Sequence, residues 1–445
     1  MKATELTISY NDIISDSRRH QPDTMTIREQ ACRILPKKAT VAIGMRRTGK
    51  SYFFHQHMND LIKTGRDPDS ILFVNFEDDR LMGMNAKNLR ELIEQYFLQF
   101  PQFRVDGCVF MFDEIQVVEA WQQVVRSILD QEKAQVFLTG SSAKLLSTEI
   151  ATNLRGRSIA IEIFPFSFSE FLSHKGITHK NSSHPAAEMR SRLQHELRNY
   201  LAQGGFPEVI NLDNIAAREV LQGYVDTLIL RDVVERHKVT ALVPLRQMLL
   251  QILSNPSALL SINKLHGDMH SRGIAVSKDT LYAMAGHLED AYLFQATSIH
   301  STSERVRQTN PRKIYPIDTG LAMAYMRASQ RDIGKLLETA TFMALRRFCK
   351  HIDYYRTQDG YEVDFIIQSH DFEDILIQAC AQMDTADTRE RELRALQSAM
   401  KEKKQKIGFV VTLELEEKIK CPEGLILVIP AWKFFLEPQH WLSEH

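Results

Sequence analysis

The run Gly44-Met45-Arg46-Arg47-Thr48-Gly49-Lys50-Ser51 carries the most legible chemistry in this chain. It fits the spacing G-x-x-x-x-G-K-[ST], in which glycines let the backbone bend until its N–H groups face phosphate oxygens. Gly44, Arg47, Thr48 and Gly49 would form the cradle, Lys50 would reach the β- and γ-phosphates, and Ser51 would ligate Mg²⁺. The apolar Val41-Ala42-Ile43 before the loop predicts a buried strand. Residues 51–63, with Phe53, Phe54 and Leu61, predict a helix whose N-terminus adds positive potential at the phosphates.

A second run supplies what the first lacks. Cys108-Val109-Phe110-Met111-Phe112 is an apolar strand that ends in Asp113 and Glu114. Asp113 suits the Mg²⁺ shell, and Glu114, one residue on, is placed to orient or deprotonate an attacking water. A further apolar run, 135–138, ends at Thr139, whose hydroxyl could sense a γ-phosphate. Mg²⁺-dependent hydrolysis of ATP is the chemistry these residues could perform together.

Such residues have to be carried by elements that bring them to one edge. From 38 to 165 the pattern alternates between apolar strands (41–44, 71–76, 108–113, 135–139, 158–163) and helices (near 51–63, 87–98, 120–131 and 143–154). This predicts an α/β fold, a P-loop NTPase sheet of parallel strands between helices, with nucleotide at the strands' C-terminal ends. The carboxylate after Asp113 and the next strand ending in Thr139 point to the additional-strand branch of that fold, which includes AAA proteins. Around this core the sequence divides into an N-terminal helical segment (1–37), the ATPase core (38–175), a helical lid region (186–240), a winged-helix-like domain (241–310) and a C-terminal α/β domain (311–445).

Composition sets outer bounds. At 445 residues there is material for two or three domains, each with its own core. Lys+Arg 55 against Asp+Glu 56 leaves the whole-molecule field near neutral, so a nucleic-acid footprint would have to be local. Five scattered cysteines without a C-x-x-C suit reduced core thiols, and no apolar run approaches membrane-spanning length. A soluble, cytoplasmic protein is expected.

The motifs, in their order and spacing, resemble the prokaryotic AAA-type ATPases that carry a C-terminal domain of unassigned function related to restriction-endonuclease-like folds. Besides the runs above, the resemblance rests on Asn75-Phe76-Glu77-Asp78, Trp121, Leu154-Arg155-Gly156-Arg157, Pro165-Phe166-Ser167-Phe168, Gly205-Phe206-Pro207-Glu208, Leu230-Arg231-Asp232-Val233-Val234, Asp318-Thr319-Gly320-Leu321, Tyr355-Arg356-Thr357 and Glu362-Val363-Asp364-Phe365. It implies that Arg157 is a candidate arginine finger, acting in its own chain or on a neighbour in a homo-oligomer, with Arg155 and Arg231 as alternatives. Glu77 and Asp78 would face the edge that holds Asp113.

The C-terminal pattern fits a degenerate PD-(D/E)XK-like domain. A helix carries Glu338 and a hairpin carries Asp364, but Gln378 and Cys380 stand where a metal carboxylate and a lysine are expected. Neither replacement supplies the missing charge, which argues against nuclease activity; migration of Lys401 or Lys403 into the site is the alternative. In the winged-helix-like segment the helix from Lys278 also carries Asp279, Glu289 and Asp290, whereas Arg305, Arg307, Arg312 and Lys313 follow it, where a wing could touch phosphates; an inter-domain packing role is expected over specific base readout. The expected whole is an ATP-driven switch or small motor with a C-terminal docking domain for a DNA or protein client. The rivals are an ATP-binding nucleic-acid-associated regulator with little turnover, and an ATP-gated nuclease.

Overall fold

Apolar runs of three to five residues have too little polar periodicity for a one-faced sheet, and in the computed structural model they lie in buried parallel strands. The structure describes residues 3–17, 25–140, 154, 156–178, 185–368 and 374–443. It divides into two units, Met1–Ile163 and Phe164–His445.

The first unit begins with helix α1 (Ala3–Asp16), followed by β1 (Ala39–Ile43), α2 (Lys50–Lys63), β2 (Ile71–Asn75), α3 (Ala86–Gln99), β3 (Cys108–Asp113), α4 (Trp121–Gln131), β4 (Ala134–Gly140) and β5 (Ser158–Glu162). The sheet order is β2-β3-β4-β1-β5, and every pairing is parallel. Register puts Ala42 of β1 beside Thr139 of β4, and Phe112 of β3 beside Leu138. The residues that follow β1 and end β3 and β4 therefore share one edge. Helix α2 buries Phe53, Phe54 and Met58 against Ala42, Phe73, Val109, Met111 and Phe137 of the sheet, which fixes the loop between β1 and α2 at both ends. The expected helix at 143–154 lies almost wholly outside the described residues, Leu154 apart.

In the second unit, α5 (Ala187–Gln203) and α6 (Asn214–Thr227) lead into a π-helix, Leu228–Glu235, that carries Arg231 and Asp232. Then come α7 (Leu242–Ser254), β6 (Ala258–Leu260), α8 (Ile262–Ser271), α9 (Lys278–Asp290), β7 (Phe294–Thr297) and β8 (Arg312–Pro316). The three strands form an antiparallel sheet in the order β6-β8-β7, so the expected boundary at 310 falls inside this module, before its central strand. Short α10 (Thr319–Tyr325) and α11 (Ile333–Arg346) precede a six-stranded sheet of β9 (Ile352–Arg356), β10 (Glu362–Ile367), β11 (Ile375–Ala379), β12 (Ile407–Thr412), β13 (Glu417–Cys421) and β14 (Gly424–Pro430), with α12 (Ala386–Lys403) after β11. Its order is β13-β14-β12-β11-β10-β9, antiparallel through β9–β11 and parallel through β11, β12 and β14. Strand β13, which the sequence pattern misses, is an edge strand with alternating exposed Lys418 and Lys420. Such a charged edge resists pairing with another chain. Among the described residues, no helix is long and apolar enough to cross a membrane.

Two of the quoted motifs meet in this unit. The buried Asp318 carboxylate caps α10 by accepting from Leu321 N–H (3.2 Å) and reaches across to accept from Gly205 N–H (2.7 Å). The approach is close enough that a Cβ on Gly204 would lie 1.9 Å from Asp318 Oδ1. Burial pushes the Asp318 carboxyl up to about 6, against the pull of these N–H donors. The folded chain then binds more protons than the unfolded chain between the usual 3.8 and about 6, so Asp318 contributes stability at low pH that is lost as pH rises through this window. Asn cannot titrate. The urea stability of wild type relative to Asp318→Asn should therefore shrink by about 1.4 kcal/mol per pH unit across the window. A difference that stays constant with pH would show that Asp318 has an ordinary pKa.

Candidate functional site

The loop between β1 and α2 is held from within. Gly44 has φ +150°, and a Cβ there would lie 2.2 Å from the Ile163 carbonyl oxygen, so no other residue fits. Gly49 adopts φ +91° at the start of α2, and Arg47 is left-handed at φ 65°. Thr48 Oγ1 donates to the Met45 carbonyl (2.9 Å), and the buried Lys50 ammonium donates to the carbonyls of Gly44 (3.2 Å) and Met45 (3.0 Å). One partner was not legible in the sequence. Arg28, buried in the segment before β1, donates from Nη1 to the Thr48 carbonyl (3.2 Å) and is clamped to Gln56 of α2 by its backbone N–H (2.7 Å) and carbonyl (3.2 Å). Nothing in its local spacing marks it.

Asp113 stands at the end of β3, where the register of β3, β4 and β1 brings it to Ser51. Its Oδ2 accepts from Ser51 Oγ (2.6 Å), and its Oδ1 accepts from Thr139 Oγ1. Burial raises the Asp113 carboxyl above its ordinary value, and the two hydroxyl donors oppose that rise. A desolvated carboxylate beside a serine hydroxyl is a hard-oxygen donor pair of the kind Mg²⁺ takes, and the residues present fit that ion. Glu114 follows in a left-handed conformation (φ 52°, ψ 43°), costly for a residue with a Cβ. Its N–H donates to Thr139 Oγ1 (2.9 Å), and its carboxylate accepts from Gln116 Nε2. Ser51, Asp113, Thr139 and Glu114 are thus brought together. Thr139 differs in one respect: its single hydroxyl proton is committed to Asp113, so this arrangement leaves it no donor for a phosphate.

Arg157 is not brought to this edge. It precedes β5, its carbonyl accepts from Ala39 N–H (2.9 Å), and its guanidinium pairs with Asp130 at the surface. That is the N-terminal end of β1, about 16 Å of strand from the loop after Ile43. Parallel register rules out a finger acting within its own chain. Arg155 lies outside the described residues, and Arg231 is exposed on the π-helix. Glu77 is paired with Arg46 of the loop (3.3 Å), whereas Asp78 turns away to Arg80 (2.7 Å).

An AAA domain model matches residues 36–172 of this chain. Two domains of unknown function, DUF8612 and DUF4143, match 194–332 and 333–434. The uncharacterized protein MJ1544 of Methanocaldococcus jannaschii is 33% identical over 444 residues, covering 96% of this chain and 95% of that protein. The chain belongs to the MJ1544 family of AAA-domain proteins. An uncharacterized protein of Haemophilus influenzae is 29% identical over 74% of the chain and 80% of its own length. Among solved structures, the Walker-type ATPase PABY2304 of Pyrococcus abyssi is similar at 14% identity and TM-score 0.40, over 73% of this chain and 95% of that one.

In this family member the second cluster of interest lies in the C-terminal sheet. Glu338 of α11, Glu362 and Asp364 of β10 converge, and Gln378 of β11 stands beside them. Gln378 Oε1 accepts from Asp364 N–H (3.2 Å) and its Nε2 donates to Glu392 of α12 (2.7 Å). Cys380 donates to the Gln382 carbonyl (3.1 Å). Lys403 is engaged with His300 (2.5 Å) and Asp374 (3.7 Å), so it does not migrate into the cluster. The lysine found there is Lys313, which the sequence had suggested as a wing residue. With Lys313 in place, no group of three or more His, Cys, Asp or Glu among the described residues is arranged to hold a metal ion.

The closeness of Gly44 to Ile163 yields a direct test. Gly44→Ala should destabilise the first unit by about 1–3 kcal/mol through backbone strain and overlap. The lowest thermal transition of the full-length protein should fall accordingly; an unchanged melt would show that the loop does not have this conformation.

Proposed function

We propose that the chain binds ATP with Mg²⁺ and hydrolyses it, using the edge formed by β1, β3 and β4. One observation carries this: Ser51, Asp113, Thr139 and Glu114 form a continuous hydrogen-bonded set immediately after Lys50's loop. The backbone of Gly44–Gly49 would cradle the phosphates, Lys50 would turn from the Gly44 and Met45 carbonyls toward the β/γ oxygens, and Ser51 and Asp113 would hold the metal. Bound Mg²⁺ supplies charge neutralisation at the transferring phosphoryl group. Glu114 then takes a proton from the attacking water. Thr139 acts mainly by orienting Asp113 and Glu114. Arg157, half-buried at the far end of the sheet and paired with Asp130, could reach a nucleotide only on a neighbouring copy, as in a homo-oligomer.

Beyond the core, three helices and a three-stranded sheet in the order β6-β8-β7 support a winged-helix module that runs to 316, with the C-terminal domain beginning after it. Three of the four cations that follow α9 are internally matched: Arg312 pairs with Glu289 of α9 (2.9 Å), Arg307 lies 3.9 Å from Asp353, and Lys313 is buried, while Arg305 is exposed. This favours a packing role for the module over phosphate contact. The cytoplasmic ATPase would then act as a switch, with ATP binding and hydrolysis altering how the C-terminal half presents itself to a client. The Gln116–Glu114 bond favours a second version in which turnover is slow and the bound state persists.

The test is ATP turnover with Mg²⁺ alongside binding of a fluorescent ATP analogue. Lys50→Ala should lose both. Glu114→Gln should keep binding and lose turnover by about 10²–10⁴-fold, the usual scale for a positioned general base. Wild type that binds ATP without turnover would replace the motor with a nucleotide-binding regulator.

A further inference from the structure

The Lys313 side chain is 6% exposed, and its ammonium lies 2.7 Å from Glu338, 2.9 Å from Asp364 and 3.1 Å from Glu362. An ammonium has three hydrogens, and here three carboxylates receive them. The surroundings complete the match. Tyr315 Oη donates to Glu338 (2.9 Å), Ala379 N–H donates to the second oxygen of Asp364 (3.0 Å), and Arg356 reaches the outer oxygen of Glu362 (3.3 Å). With two cations against three carboxylates, one proton makes the cluster neutral. Burial, and then the Asp364 charge, push the Glu338 carboxyl up to about 8. Burial works to lower the Lys313 ammonium, but Asp364, Glu338 and Glu362 more than offset it and keep it charged.

We propose that Lys313 is a built-in counter-cation, occupying the position a divalent metal would need among Glu338, Glu362 and Asp364, and so closing this site while locking β8 to α11 and β10. A catalytic lysine would need a free hydrogen for phosphate or water, and this one has none. The lock joins elements that other bonds also hold together. Tyr354 N–H donates to the Ser298 carbonyl (3.0 Å), its carbonyl accepts from His300 N–H (2.7 Å), and its hydroxyl donates to the Pro311 carbonyl (2.9 Å). These bonds and the lock tie the three-stranded sheet to the C-terminal sheet at β9 and β10.

The probe is Mn²⁺, followed by electron paramagnetic resonance on full-length protein without nucleotide. Wild type and Asp364→Asn should take up the same amount. Lys313→Ala should lose thermal stability and gain one Mn²⁺ per chain, which raises its melting temperature and disappears in Lys313→Ala/Asp364→Asn. Wild-type Mn²⁺ uptake that Asp364→Asn abolishes would overturn the proposal, as would a folded Lys313→Ala that gains no ion. Should Lys313→Ala alone not fold, Lys313→Ala/Glu338→Gln/Asp364→Asn should, because neutral partners no longer need a cation. A triple variant that also fails to fold would mean Lys313 acts by packing rather than charge, and would equally overturn it. None of these readouts depends on ATP turnover.

Discussion

A charged group withdrawn from water has to be matched where it sits, or the fold cannot hold it. Both units of this chain are organised around such matches. In the first, Asp113 ends a strand buried along its whole length, and it is matched by hydroxyls from two other elements, Ser51 on α2 and Thr139 on β4. That arrangement is possible only because parallel pairing aligns the ends of β1, β3 and β4, and it draws the loop, the strand end and the following turn into one edge. The strained backbone of Glu114 is held by the same Thr139 hydroxyl.

The second unit solves the same problem twice. Asp318 is matched by backbone N–H groups, and in reaching Gly205 it fastens the turn after α5 to the start of α10. Lys313 is matched by side chains, and in reaching Glu338 and Asp364 it fastens a strand of one sheet to the helix and hairpin of another. The two lie five residues apart in one segment, which is why the stretch from 312 to 321 reads as a chain of motifs in the sequence and as a joint in the structure. The joint also redistributes charge. Arg312, Arg307 and Lys313, three of the cations that would form a basic wing, are turned toward Glu289, Asp353 and the carboxylate cluster.

Much of this was legible beforehand because its signals are local. Gly44–Ser51 declares a loop geometry by residue type and spacing, and the apolar runs at 71–76, 108–113, 135–139 and 375–379 declare buried strands by length and composition. The readings that changed depend on contacts between segments distant in sequence. Arg157 looked like a finger by its position after a sensor strand, but register with Ala39 puts it at the wrong end of the sheet. Arg28 and Lys313 carry no local signature. One supports the phosphate loop from a segment ahead of the sheet, and the other crosses from one sheet to the next.

The sequence by itself determined that a tightly bent glycine loop, a strand-end carboxylate and a second carboxylate beside it exist, because backbone bending and strand burial follow from neighbours a few residues apart. Only the tertiary structure decided which charges meet. Thr139's proton goes to Asp113, and Lys313 fills the carboxylate cluster that Gln378 and Cys380 had already left incomplete. The physical reason is that a buried charge is matched by whatever the fold brings within hydrogen-bond reach, and a one-dimensional pattern does not contain that distance.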